Sequence, residues 1–178
     1  RARAARLRRG TGGGSELSEE TREGEVTLPG GTLEAAPSER VVFIGRIRSP
    51  WKTRREAPHN LREARERGME RARVEVDAPF RPGLADLTGC SHLILLYWMH
   101  EARRDLIRQT PRHAERPLGL FSLRSPARPN PIGIGVVEVL AIDEEAGIIE
   151  IDAIDCLGGT PLVDIKPYLA RVDSVPEA

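Results

Sequence analysis

The sequence predicts a mostly β protein: a small antiparallel β-barrel, or a sandwich of the same strands, with a few short helices. Three observations lead there. Short alternating or continuous apolar runs recur between turns that contain Gly or Pro. The helical patterns, "NLREARERGMERA" (60–72) and "EARRDLIRQT" (101–110), are weak, short and highly charged. Strands do not alternate with helices, which disfavours a parallel α/β sheet and leaves the barrel as the preferred architecture.

Taken in order, residues 1–40 read as a disordered Arg/Gly-rich tail, with Arg1, Arg3, Arg6, Arg8 and Arg9 followed by "GTGGGSELSEE". A solvated extension is the simple reading of that tail. An RNA-contacting basic arm is the functional one, and it would add salt-dependent affinity. The folded domain is placed at 41–175. "VVFIGRI" (41–47) is a first strand, and "ARVEVDAPF" (72–80) alternates as a half-exposed strand does. "HLILLYWMH" (92–100) is nearly all apolar and reads as a central buried strand. "IGVVEVLAID" and "GIIEIDAID" flank "EEAG" and form a hairpin with Gly147 in its turn. "PLVDIKPYL" is a last strand.

The chain has 178 residues, which suits one domain plus a tail, and 27 basic against 27 acidic residues, so no overall field advertises nucleic acid. Cys90 and Cys156 form no CxxC, and the four histidines are scattered; a reduced, cytosolic protein without a zinc centre is the default. No apolar run has the length of a membrane span, and the N-terminus lacks a signal-peptide core.

The stretch "FSLRSPARPNPIGIGVVEV" (121–139) carries the most chemical information. Pro129 and Pro131 bracket Asn130 and force extended geometry on the residues before them. The loop is therefore stiff and presents side chains rather than amides. It either displays guanidinium and amide groups to a ligand or is a braced loop whose arginines bond nearby carbonyls. "GIGVVE" lacks the third glycine and the strand-to-helix setting of a dinucleotide fingerprint, and no GxxxxGK[ST] occurs. Any nucleotide-like cofactor binds outside a Rossmann sheet.

Together, "GRIRSPWK" (45–52), "SHLILLYWMH" (91–100), "FSLRSPARPNPIG" (121–133) and "GGTPLVDIKPYL" (158–169) resemble the TrmO family, also known as YaeB/UPF0066/VirR-like proteins. The resemblance covers about residues 41–175. It implies a single-domain, non-Rossmann β-barrel, usually a homodimer. It also implies an S-adenosylmethionine-dependent methyltransferase acting on N6 of threonylcarbamoyladenosine beside the tRNA anticodon. Carried over by motif, cofactor contacts fall on His59, Asn60, Leu61, Met99, His100, Arg124 and Ile134, and on the run Asp152, Ala153, Ile154 and Asp155. The family often has a Pro-Arg-Gln-like sequence where this chain has "PHN". Many bacterial members carry a further C-terminal domain that helps hold tRNA, whereas the last motif here lies close to Ala178.

The residue types suit that chemistry. Arg124 offers a planar fork to a carboxylate or phosphate; its simple role is to brace the proline loop. Asp152 and Asp155 can accept from a ribose diol or an ammonium, although Asp152 equally suits a solvated strand face. Met99 and Ile134 can sandwich adenine or be core, and His100 at a strand end is by default structural. N6 is a weak nucleophile, so positioning and an acceptor for its proton are required. Candidates for that acceptor and clamp are Asn130, Asp164, Lys166 and Tyr168; alternation places the last three on one strand face, and Pro167 marks an edge. A methyltransferase acting on a small molecule or protein, and a non-enzymatic adenosylmethionine or nucleotide sensor, are the rival readings.

Overall fold

Alternation decides which side chains each strand turns inward, and the computed structural model follows it closely. It describes residues 21–68, 72–111 and 114–177. In chain order these form β1 (Val26–Thr27), helix α1 (Thr32–Ala35), β2 (Gly45–Arg48), helix α2 (Leu61–Glu66) and β3 (Ala72–Val76). Then come β4 (His92–Trp98), β5 (Leu106–Gln109), β6 (Leu118–Gly119), β7 (Ile132–Asp143), β8 (Ile148–Ile151), β9 (Pro161–Pro167) and helix α3 (Ala170–Asp173). No helix of the described residues is long and apolar enough to cross a membrane.

Six strands pair antiparallel in the order β2-β3-β8-β7-β4-β9, and β9 pairs back onto β2, closing the barrel. Its interior is filled from every strand: Ile47, Val74, Leu95, Val137, Ile149 and Leu162 have no exposed surface. A second, three-stranded sheet, β1-β5-β6, stands beside it. There Leu106 of β5 packs with Leu120 and Ala127 in a small core of its own.

Several sequence expectations are corrected in detail. The first strand is Gly45–Arg48 rather than 41–47, and Val41, Val42 and Phe43 are exposed. The strand expected over 72–80 ends at Val76, where Ala78–Leu84 turns into a 3₁₀ helix containing Pro79 and Pro82. β4 is central, between β7 and β9, but buried on one face only: His92, Ile94, Leu96 and Trp98 are half-exposed. The helix of 60–72 reduces to Leu61–Glu66, and Met69, Glu70 and Arg71 lie outside the described residues.

The charged stretch 101–110, weighed as a helix, contains strand β5 instead. Its arginines are satisfied locally: Arg103 grips Asp105 through Nε and Nη2 at 3.0 and 2.8 Å. That leaves Leu106–Gln109 to pair with β1 and β6. The tail expectation changes accordingly, because β1 and α1 fall inside 1–40. Leu28 N donates to Asp105 O at 2.6 Å, and Glu25 pairs with Arg103, so this segment is held by β5 and the residues before it. The arginines of the expected basic arm, Arg1 to Arg9, lie outside the described residues.

Two acids report how charge supports the sheets. Burial would raise the Glu75 carboxyl, but hydrogen bonds from Arg48 and Arg73 outweigh it and hold the group below its ordinary 4.5. The Arg103 fork holds Asp105 below its ordinary 3.8. A carboxyl depressed in the native state binds fewer protons there than in the unfolded chain. Its stabilisation is therefore complete above the ordinary value and is lost as pH falls through the depressed one. Denaturant midpoints should stay level from pH 7 to 5 and fall below about pH 4.5. Glu75→Gln should reduce the size of that fall, and an identical acid profile for the variant would remove Glu75 as a cause.

Candidate active site

One cleft of about 920 Å³ opens where the barrel meets the side sheet. Its barrel wall is built from the end of β4, the start of β7, the α2 entry and the turn before β9. Three motif segments converge to shape it. Trp51 Nε1 donates to Ile154 O at 2.9 Å, Ser49 Oγ donates to Cys156 O at 2.7 Å, and Gly158 N donates to Trp51 O at 2.9 Å. The segment "RSPWK" thus fixes the chain from Ile154 to Gly158.

Tyr97 forms the floor. It is buried, and its hydroxyl donates to Asp155 Oδ1 at 2.7 Å. Burial first, and the Asp155 carboxylate next, push the Tyr97 hydroxyl far above its ordinary range, so it is a fixed donor at every working pH. Gly133 is directly opposite Tyr97 on β7. A Cβ there would lie 2.1 Å from the Tyr97 ring, so only glycine admits the ring in this position. Burial pushes the nearby Cys156 thiol up to about 12, so it is no thiolate at neutral pH.

At the α2 entry, Asn60 Oδ1 accepts from Glu63 N at 2.9 Å, and the Glu63 carboxylate accepts from His59 N at 2.7 Å. This reciprocal cap, in the manner of a capping box, fixes the loop that carries His59 and Leu61. The His59 amide is the leading cause holding the Glu63 carboxyl below its ordinary value, followed by Arg67.

The proline loop divides its arginines between two tasks. Arg128 donates to Ser125 O at 2.9 Å, to Leu120 O at 3.2 Å and to Leu123 O, bracing the loop from within. Arg124 makes no hydrogen bond or ion pair among the described residues, and its exposed guanidinium lines the cleft. The bracing reading therefore holds for Arg128, while Arg124 faces the cleft.

Residues 46–174 match the family model for the tRNA-methyltransferase O N-terminal domain. The chain belongs to the TrmO family. It is 44% identical over 135 residues to a probable S-adenosyl-L-methionine-binding protein of Archaeoglobus fulgidus, a match covering 76% of this chain and 35% of that protein. It is 33% identical over 143 residues to the tRNA (adenine(37)-N6)-methyltransferase of Escherichia coli, covering 76% of this chain and 60% of that one. The crystal structure of TrmO from Pseudomonas aeruginosa superposes with a TM-score of 0.63 at 33% identity, over 80% of this chain and 61% of that chain. The match thus spans less than two thirds of the length of each of these three proteins.

Against the contacts that the TrmO resemblance implied, the cleft collects His59, Asn60, Leu61, Met99, His100, Arg124, Ile134 and Asp155. It does not collect the other three. Asp152 pairs with Arg65 at 2.6 Å and accepts from Glu138 N at 2.8 Å, while Ala153 and Ile154 are fully buried. The four catalytic candidates also lie off the cleft lining. Asp164 and Lys166 do share a strand face, and they pair with each other at 2.6 Å. Tyr168 packs against His92 with ring centroids 6.3 Å apart, and Asn130 is exposed in the proline loop.

Sequence reasoning missed Tyr97 and the Glu63 cap. The spacing of Asn60 and Glu63 at a helix start was the available signal for the last. The Tyr97–Gly133 contact yields a direct expectation. Gly133→Ala should destabilise the fold by about 1–3 kcal/mol through overpacking. Equal denaturation midpoints for variant and parent would show that the ring can move aside.

Proposed function

We propose that the cleft binds S-adenosylmethionine and that the chain transfers its methyl group to N6 of adenosine beside the anticodon of tRNA. The carrying observation is the convergence, in one cleft, of an unpaired guanidinium (Arg124), a carboxylate held by a buried tyrosine (Asp155) and an apolar wall (Leu61, Met99, Ile134). Those donor and acceptor types fit a zwitterionic amino-acid end, a ribose and an adenine. The names of the A. fulgidus and E. coli relatives support both halves of the reading. The finer reading, a threonylcarbamoylated adenosine as the target in the cytoplasm, rests on the family resemblance.

S-adenosylmethionine would supply a methyl carbon made electrophilic by its sulfonium. The protein's own contribution is placement and charge. Arg124 can take the donor's carboxylate bidentately. Asp155, with one oxygen occupied by Tyr97, can turn the other to the ammonium or ribose. Leu61, Met99 and Ile134 keep water from the adenine. His100, with Nε2 3.9 Å from Glu101 Oε1, is the wall group suited to accept the proton that N6 loses on methylation. Asn130, Asp164, Lys166 and Tyr168 remain candidates for holding RNA outside the cleft.

The donor should bind with micromolar affinity by calorimetry, about −8 kcal/mol. Arg124→Lys keeps the charge but loses the fork, and it should cost about 1.5–3 kcal/mol of that binding. Absence of heat with both the donor and its demethylated product would defeat the cofactor assignment. Unchanged affinity in the lysine variant would defeat only the role of Arg124. Nucleoside analysis of tRNA from a strain lacking the protein tests the target: loss of an N6-methylated adenosine is expected, and an unchanged profile favours a small-molecule or protein acceptor.

The homodimer belongs to the same proposal. Outward side chains of the paired strands β4 and β7 form an apolar face: Ile94 beside Val136, Leu96 beside Ile134 and Trp98 beside Ile132. Ile132 and Ile134 are 43% and 49% exposed, on a face suited to a second copy. Light scattering should give twice the chain mass, and Leu96→Glu should halve it. A parent protein of single-chain mass would refute the dimer.

A further inference from the structure

We infer that the segment before the family-matched domain is a substrate wall. On this view Arg22 and Glu25, with Gln109 of β5, form the acceptor half of the cleft and take a phosphate-bearing nucleotide of RNA. The inference rests on the tRNA reading above.

Three observations carry it. The family match begins at residue 46, yet Arg22 and Glu25 line the same cleft as Arg124 and Asp155. The segment is built in place rather than resting on the surface. β1 pairs antiparallel with β5, Val26 opposite Arg108 and Thr27 opposite Leu106. The Glu25 side chain is only 7% exposed and pairs with Arg103 at 3.2 Å, while its Oε2 also accepts from Arg22 N at 3.1 Å. Finally, the cation that the segment brings to the cleft and the amide beside it on β5 are unspent. The Arg22 guanidinium and the Gln109 amide make no side-chain hydrogen bond or ion pair among the described residues.

The two sides of the cleft differ in chemistry. The cleft volume of about 920 Å³ is near the upper end of the range of about 300–1,000 Å³ typical of drug-sized ligands. The barrel side carries Tyr97, Asp155 and the apolar wall. The side-sheet side carries a free cation, a free amide and the Glu25–Arg103 pair, a set that suits phosphate and base edges better than a second apolar ring. A cleft-lining guanidinium with no side-chain partner among the described residues is the group an RNA backbone would neutralise.

The test titrates an anticodon stem-loop RNA into the full chain at several salt concentrations, with donor affinity measured in parallel. Arg22→Ala should weaken RNA binding several-fold at low salt and reduce the salt slope by about 0.7, the value of one phosphate contact on a single strand. Donor affinity should stay within twofold. Glu25→Gln, which loosens the segment without removing Arg22, should weaken RNA binding in the same direction. RNA binding by the parent with the same slope in Arg22→Ala would overturn the wall and leave the tRNA reading standing. A loss of donor affinity instead of RNA affinity would assign this half to the donor and overturn it too. No salt-dependent RNA binding by the parent would remove the tRNA reading and the wall with it.

Discussion

Tyr97 joins the core of this protein to its cleft. Its ring occupies space that Gly133 leaves empty on β7, and its hydroxyl donates to Asp155 Oδ1. A buried tyrosine hydroxyl without a partner costs about 1–3 kcal/mol, so the fold itself calls for an acceptor at this point. Asp155 supplies it, and Trp51 and Ser49 fix the backbone on either side of that carboxylate. The acid of the site is therefore oriented by the barrel's packing rather than by the ligand. Preorganisation of this kind places the ordering cost in folding rather than in binding.

Strands were legible wherever alternation was free to act. "ARVEV" turns Ala72, Val74 and Val76 inward, "HLILLYW" turns Leu93, Leu95 and Tyr97 inward, and "IGIGVVEV" turns Gly133, Gly135 and Val137 inward while Ile132 and Ile134 face out. Reading failed where a local ion pair disguised the pattern. Arg103 and Asp105 satisfy each other, and the strand beginning at Leu106 was hidden under charges weighed as helical. It also failed where pairing came from far away, since β1 owes its existence to β5, more than seventy residues later, and not to its own short sequence. At the site, the residues found from motif were those at turns and strand ends, where side chains can face a cleft. Asp152 was lost to Arg65 because it lies just past the end of β8, with β7 within reach. For Asp164, Lys166 and Tyr168, alternation correctly gave a common face for the first two, but one-dimensional spacing does not say which side of a closed ladder faces the cleft.

Net charge is a poor guide to this surface. Equal numbers of acids and bases give a formal charge of zero, yet the cleft draws arginines from the residues before β1 and β5, from the loop after β2, from α2 and from the proline loop. Their effect is decided by whether each is spent. Arg103 is committed to Glu25 and Asp105, and Arg128 to three carbonyls. Arg22 and Arg124 are not committed to any partner among the described residues. At physiological salt a field is screened within about 8 Å, so these local, uncommitted cations govern what approaches the cleft.

The two arginines of the proline loop explain why the loop is built as it is. A lysine at 128 would have three donors on one nitrogen and no rigid fork, and it would hold separated carbonyls less well than guanidinium does. With Arg128 spanning Leu120, Leu123 and Ser125, and with Pro126, Pro129 and Pro131 limiting the backbone, little conformational freedom is left between Gly119 and Ile132. Arg124 is presented from that frame. Ordering a free loop costs about 1–2 kcal/mol for each residue fixed, a penalty that would otherwise fall on ligand binding. Here it is met during folding by a neighbouring arginine, four positions after the one that the loop turns to the cleft.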